Sequence, residues 1–218
     1  MTEERFTNWE LIGRGGTADV YRAVDHDLDC TVAIKLLNEK YRDNKVLVQG
    51  LREEVKISRA LRHPNICPIH DKYEGVRGFG IVMDFIDGYD LRAWMDENNF
   101  RLRESMEERL TVLLKVTEAL ELAHTHIIHR DLKPANIFLL NKNISQPLIM
   151  DFGISIAGSD GEGHKFAGTL KYASPQQYES PESIERRSDL FSLGILAYEL
   201  MTREIPSCSL INMRKIGQ

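Results

Sequence analysis

The hydrophobic pattern of the chain changes period near residue 90, and that change limits the fold more than any other feature. Before it, "NWELIG", "VYRAV", "TVAIKLL" and "FGIVMDF" are short runs rich in β-branched and aromatic residues, parted by turn residues. "VDHDLDCT", with three Asp between two such runs, reads as a hairpin connection. One helix interrupts the strands over residues 44–61, with Val48, Leu51, Val55 and Leu61 on an imperfect apolar face. After residue 90 the texture is helical. Leu110, Leu113, Leu114, Val116, Leu120 and Ala123 recur at helical spacing behind the acids of "ESMEERL". Further on, "SDLFSLGILAYELM" is apolar almost all round, as expected of a helix buried on most sides. A sheet with one helix followed by a helical body predicts an α+β chain in two lobes, 1–86 and 87–218. A cleft is expected between them, with a hinge near residues 84–88.

Composition excludes several functions. The 218 residues are 42% hydrophobic and 28% charged, ordinary values for a globular chain of one large domain or two small lobes. A net charge of −5 gives no basic footprint, so nucleic acid is not expected as a partner. Cys30, Cys67 and Cys208 are odd in number and widely spaced, which suggests free thiols in a reducing compartment rather than disulfides or a zinc site. No apolar run is long enough to span a bilayer, and "MTEERFTNWE" lacks a signal-peptide core. The expected location is the cytoplasm, for this chain or for the part of a longer protein that it represents.

Three short stretches carry chemistry. "IGRGGTADV" places Gly13-x-Gly15-x-x-Ala18-x-Val20 between two predicted strands, which argues against a dinucleotide fold, where such a loop opens a helix. A glycine loop in a hairpin can fold over a polyphosphate, because side chains are absent where backbone must approach oxygens. By itself it fits a plain Gly-rich turn as well. "VAIK" sets Ala33 where a flat base could lie, and Lys35 as the lone cation of an apolar strand. Lys35 reads either as a phosphate-binding cation or as a side chain pointing to solvent. "HRDLKPAN" sets Asp131, Lys133 and Asn136 on one loop between a helix and a strand. Phosphoryl transfer needs a positioner for the attacking hydroxyl, a cation for the transferred group and Mg²⁺ ligands. Asp131, Lys133 and Asn136 can fill these roles in that order, and Asp151 of "IMDFG" offers a second oxygen ligand for a hard cation. His129 and Phe152 read as packing.

The signature set in order resembles that of a eukaryotic-type protein Ser/Thr kinase, of the sort also common in bacteria. The set is the glycine loop, "VAIK", "HRDLKPAN", "DFG", "GTLKYASPQQ" and "SDLFSLG". The resemblance runs from Trp9 to Thr202. It implies a two-lobed kinase fold, with an antiparallel N-lobe sheet bearing one helix and a mainly helical C-lobe. It implies ATP and Mg²⁺ as cofactors and protein Ser/Thr hydroxyls as substrate, in signalling. Residue by residue, it implies Lys35 on the phosphates and Glu54, ten residues before Pro64, as its partner. Asp131 is implied as catalytic base, Lys133 on the γ-phosphate, and Asn136 and Asp151 on Mg²⁺. Ile12, Gly13, Gly15, Gly16, Val20 and Ala33 are implied around the nucleotide. Met83 resembles the gatekeeper, the Asp84 C=O and Ile86 N–H the adenine pair, and Asp90 the ribose acid. Asp189 resembles an acid that braces the catalytic loop's backbone, and Thr169 a threonine that hydrogen-bonds Asp131 and Lys133.

The chain also departs from the family pattern. Gln176 stands where "APE" has Glu, and the sequence stops soon after "ELMTREIPS", where the family continues through further helices. The C-lobe is therefore expected to lack its last helices, as a natural short form or a fragment. The ion pair made by that Glu is expected to be missing. The helix beginning near Asp189 is expected to lose part of its cover, putting apolar residues such as Leu193, Leu196 and Leu200 at risk of exposure and inviting a dimer or a partner protein. Ser155 and Ser159 are the hydroxyls available between Gly153 and Gly168, and Glu162 could stand in for a phosphate beside Arg130. Two rival readings share parts of the set: a small-molecule phosphotransferase, and an ATP-binding pseudokinase or scaffold.

Overall fold

The computed structural model describes residues 5–97, 106–152, 171–179 and 184–206. Its contacts divide the chain into two units. One comprises Met1–Arg62 and Cys67–Ile86, and the other His63–Ile66 and Asp87–Gln218.

The first unit is built on an antiparallel sheet with strand order β1-β2-β3-β5-β4. The strands are β1 (Phe6–Arg14), β2 (Ala18–Asp25), β3 (Cys30–Leu37), β4 (Ile69–Gly75) and β5 (Gly78–Asp84). β3 and β5 are the apolar runs "TVAIKLL" and "FGIVMDF", as central strands buried on both faces should be. β4, "IHDKYEG", is polar and buries Tyr73 alone; it lies at the sheet edge, where one side meets water. Its polarity is why no apolar pattern marks it. One face of the sheet carries Ala23, Val32, Ile34, Leu36 and Val82, packed with Phe6 and Tyr73 and flanked by Trp9 and Tyr21. The aromatic rings meet edge to face, Trp9 and Tyr73 at 5.2 Å between centroids. Arg5 ties the start of β1 to the buried Asp25 at 2.8 Å and to Asp71 at 3.1 Å.

Helix α1 (Lys45–Ser58) begins where Asn44 accepts the backbone N–H groups of Val46 and Leu47, each at 3.1 Å. Its buried stripe is Leu47, Leu51, Val55 and Ser58, a regular i, i+4, i+8, i+11 series packed on β4 and β5. Leu47, not Val48, completes the face, and Leu61, buried as expected, lies beyond the end of the helix rather than on it.

The second unit holds α2 (Leu91–Glu97), α3 (Met106–Ala123), α4 (Pro175–Glu179) and α5 (Arg186–Thr202). A small sheet, β6 (Gly88–Asp90), β7 (Ile137–Leu140) and β8 (Pro147–Ile149), lies among them. Gly88 of β6 is required by sterics, since a Cβ there would lie 2.2 Å from the Leu139 carbonyl oxygen. α3 buries Val112, Val116, Ala119, Leu120 and Ala123, and leaves Leu110 and Leu114 exposed. α5 does not follow the sequence expectation. It buries one stripe, Ser188, Asp189, Ser192, Ile195, Leu196, Glu199 and Leu200, which includes two acids. Leu196 and Leu200 are fully buried, so the risk of exposure expected for them is not realised, and Leu193 is partly covered. The apolar exposure falls on Leu190 (54%) and Tyr198 (43%), which lie off that stripe. Residues 63–66 enter this unit although their neighbours in sequence do not. The Asn65 amide donates to the Pro147 carbonyl at 2.7 Å, and the Ile149 N–H donates to the Asn65 carbonyl at 2.8 Å.

Candidate active site

In the first unit, strand register gathers five of the nucleotide candidates, Gly13, Val20, Ala33, Lys35 and Met83, on one sheet face. Gly13 lies opposite Val20, Val20 opposite Lys35, and Lys35 opposite Ile81. Two residues along, Arg22, Ala33 and Met83 form the next row on the same side. This is the face opposite the aromatic cluster. Ala33 and Met83 are buried and Lys35 is partly buried. Ile12, at a register shift in β1, is half exposed and stands outside these rows. A Cβ on Gly15 would lie 2.6 Å from the Ala18 carbonyl oxygen, whereas one on Gly16 would meet open space. Gly15 is thus needed by the turn itself, and Gly16 is not. The Asn38 side chain reaches this turn, a contact that sequence reasoning missed; its Nδ2 donates to the carbonyls of Gly15 (3.0 Å) and Gly16 (3.2 Å).

Glu54 lies on α1, but its side chain is outside the described part of the structure. Glu53 takes surface partners, Lys56 and Gln49, each at 2.8 Å, as a solvated helix face would. Asp84 closes β5; its N–H donates to the Pro68 carbonyl at 3.1 Å and its carboxylate meets His70 Nε2 at 2.6 Å. Ile86 is the last residue of this unit.

In the second unit, Asp90 ends β6 and accepts the Ala93 N–H at 2.8 Å, capping α2 with one carboxylate oxygen. The loop from His129 to Asn136 is fixed from several sides. Asp189, fully buried on α5, accepts the backbone N–H groups of His129 and Arg130 at 2.8 Å each, and meets His124 Nε2 at 2.8 Å. These bonds hold Arg130 in the left-handed region, φ 67°. Burial pushes the Asp189 carboxyl up, but the His124 hydrogen bond, His129 and the two amides outweigh it and hold the group below the usual carboxylate range. His129 is fully buried with its ring edge-on to Phe152 at 4.8 Å, so both residues pack as expected. The His129 Nδ1 accepts the Asp131 N–H at 3.3 Å, so Nε2 carries the proton given to the Met150 carbonyl at 2.8 Å.

Asp131 is the centre of the loop. Its Oδ2 accepts from Lys133 Nζ at 2.7 Å and from Asn136 Nδ2 at 3.1 Å. Asn136 Nδ2 also donates to the Asp131 carbonyl at 2.8 Å. With Nδ2 committed inward, the amide oxygen of Asn136 is its remaining ligand atom. The Met150 N–H donates to the Asn136 carbonyl at 2.9 Å, which sets Asp151 beside Asn136. Asp151 itself is left-handed, φ 58°. An amide oxygen and a carboxylate fit Mg²⁺, which favours a few protein oxygens completed by water and phosphate. No larger His, Cys, Asp or Glu cluster suited to a metal occurs among the described residues.

Residues 171–179 pack against this loop through contacts the sequence did not disclose. The Gln177 Nε2 donates to the Arg130 carbonyl, and Gln177 Oε1 accepts the Ser174 N–H at 3.0 Å. The Tyr172 hydroxyl donates to Glu199 of α5 and accepts from Arg92 of α2 at 2.6 Å. Arg92 also meets Glu199 at 2.7 Å. The segment is therefore braced within the described residues, although Gln176 lacks the charge of the expected pair. The visible signal was Glu199 itself, an acid inside an apolar helix. Ser155, Ser159, Glu162 and Thr169 lie outside the described residues.

Residues 6–216 match the family model described as protein kinase domain. Serine/threonine-protein kinase PrkC of Bacillus subtilis is 33% identical over 206 residues, covering 93% of this chain and 31% of that protein. Serine/threonine-protein kinase PknB of Mycolicibacterium smegmatis is 34% identical over 214 residues, with 93% and 33% covered. The chain thus spans about a third of the length of these curated relatives. The crystal structure of the Mycobacterium tuberculosis PknI kinase domain superposes with a TM-score of 0.73 at 24% identity, covering 94% of this chain and 79% of that one, a likeness of fold.

Proposed function

Because the chain belongs to the protein kinase family, we propose that it transfers the γ-phosphoryl group of ATP to Ser or Thr hydroxyls of a protein substrate. The observation that carries this reading is the Asp131 carboxylate, held by Lys133 and Asn136 on a loop pinned by Asp189. Oδ2 of Asp131 already serves two donors, so Oδ1 is the oxygen assigned to the substrate hydroxyl, orienting it and taking its proton. Lys133 balances the charge of the transferred group. Asn136 and Asp151 would hold Mg²⁺, which when bound neutralises charge on the phosphates. Lys35, with Glu54 as its partner, is assigned to the phosphates, and Gly13, Gly15 and Gly16 to the turn above them. Ile12, Val20, Ala33 and Met83 are assigned to the base, the Asp84 C=O and Ile86 N–H to its hydrogen bonds, and the remaining Asp90 oxygen to the ribose.

The reading includes a cytoplasmic location and a role in signalling; no described helix is long and apolar enough to cross a membrane. It also includes a dimer or partner contact on α5. With Leu196 and Leu200 buried, Leu190 and Tyr198 are the residues assigned to it. A monodisperse monomer in sedimentation at tens of micromolar, with no partner bound, would remove that part.

The test of activity is transfer of labelled phosphate from ATP to a generic basic protein. Asp131→Asn is expected to lower the rate by about 10²–10⁴-fold, the range for a lost general base. Wild-type transfer by Asp131→Asn would overturn the assignment. Binding of Mg-ATP by wild type without any transfer would favour the pseudokinase reading.

A further inference from the structure

We propose that Asn38 is a positioning residue for the phosphate-binding turn. The inference rests on the nucleotide reading above and adds to it the residue that presets the turn's main chain. Asn38 follows β3 and precedes a 3-10 turn, Glu39–Tyr41. An Asn at such a place commonly caps the turn, as Asn44 caps α1. Asn38 makes no capping bond. Its side chain turns back three residues beyond Lys35 and gives both amide hydrogens to the glycine turn, at Gly15 O (3.0 Å) and Gly16 O (3.2 Å). Its own N–H donates to the Thr17 carbonyl at 2.9 Å. Three successive carbonyls of the turn are thus held by one residue.

The consequence follows from peptide planarity. A carbonyl fixed in direction fixes the N–H on the other side of the same peptide plane. Holding the Gly15, Gly16 and Thr17 carbonyls therefore fixes the N–H groups of Gly16, Thr17 and Ala18. Those N–H groups are what a glycine turn can offer to phosphate oxygens. Gly16 is exposed, and a side chain there would meet open space. The clamp supplies order there. Orientation of the amide is not ambiguous: reversing it would set Oδ1 against two carbonyl oxygens. As it stands, Oδ1 is buried and has no hydrogen-bond partner among the described residues. Asn38 accepts that penalty at one atom while making two bonds with the other.

The experiment compares binding of Mg-ATP and of adenosine to the 218-residue chain and to Asn38→Ala and Asn38→Asp variants. Adenosine lacks phosphates and reports on folding and on the base site. Loss of two hydrogen bonds to the turn should weaken ATP about tenfold in Asn38→Ala. Asn38→Asp keeps the shape but faces two carbonyls with an acceptor, so its ATP affinity should fall further. Adenosine affinity should stay within about twofold in both, and in transfer assays the ATP KM should rise more than kcat falls. Equal weakening of ATP and adenosine, unchanged ATP affinity in Asn38→Ala, or Asn38→Asp binding as well as wild type would each overturn the proposal. Failure of the wild-type chain to bind ATP would instead overturn the nucleotide reading on which it rests, and is seen before any variant is made.

Discussion

Arg92 on α2 and Glu199 on α5 meet at 2.7 Å across 107 residues of sequence, and the Tyr172 hydroxyl bonds to both. Glu199 is buried, so each partner it loses leaves charge without compensation. Burial and the Glu199 carboxylate both push the Tyr172 phenol up, so it stays a neutral donor. Tyr172→Phe is expected to destabilise the chain by about 1–2 kcal/mol, and Glu199→Gln by about 2–4 kcal/mol. The double variant should be less destabilised than the sum by at least about 0.5 kcal/mol, as for residues sharing one network. Urea unfolding of the four proteins measures this, and strict additivity would refute a shared network.

Asp189→Asn tests the pin under the Asp131 loop. The carboxylate receives two backbone N–H groups and meets His124, and an amide offers one acceptor in place of two. A loss of about 2–4 kcal/mol is expected, since a buried donor is left without its acceptor. Amide hydrogen exchange at Arg130 should quicken more than exchange at Ile34 in the first unit's core. Unchanged protection at Arg130 would show that the loop holds itself.

Acid should remove stability through two aspartates. Burial pushes both the Asp189 and the Asp25 carboxyls up, yet their partners prevail and both sit below the ordinary value. For Asp25 the partners are Arg5 and the N–H groups of Asp27 and Leu28. A group depressed in the folded state binds its proton more readily in the unfolded chain. Its stabilisation is complete above the unfolded value, about pH 4, and is lost as pH falls through the folded value. The urea midpoint should therefore fall below about pH 4. Asp25→Asn should start lower at neutral pH and fall less steeply; parallel curves would exclude Asp25 as a source.

Arg203 closes α5 with φ 67°, in the left-handed region where glycine is the usual helix terminator. Arg203→Gly should recover about 1 kcal/mol of backbone strain. Against that stand the side chain's own interactions, among them a 3.4 Å bond from its guanidinium to the Met95 carbonyl. Thermal unfolding of Arg203→Gly weighs the two, and a net gain from the relieved backbone is expected. A clear loss would show that the side chain, not the backbone, governs the position.

What the sequence disclosed and what it hid separate along physical lines. The places of Lys35 in a strand and of Asp131, Asn136 and Asp151 on loops were legible because each sits in a short motif whose spacing sets its position; their roles are those proposed above. α1 was legible in extent, but its face was mistaken at two positions: Leu47 and Val48 are equally apolar, and the buried Leu61 lies past the helix end at Ser58. β4 was hidden because an edge strand has little need of an apolar pattern. His124, Arg92, Tyr172 and Asn38 were hidden for another reason. Their partners lie 65, 107, 27 and 23 residues away, and no local period encodes such distances.

The four residues 63–66 impose a timetable on synthesis. They emerge from the ribosome amid the first unit, yet their partners Pro147 and Ile149 are some eighty residues further on. At roughly 5–20 residues per second, that interval lasts roughly 4–16 s. During it the sheet can close around Ile34 and Val82, while Asn65 and Ile66 still lack Pro147 and Ile149. Nascent chains halted between residues 90 and 140 should therefore be cut by protease near Pro64, and chains released past residue 150 should resist. The stretch with the earliest place in the second unit's sequence is thus among the last of the first-made residues to find its seat.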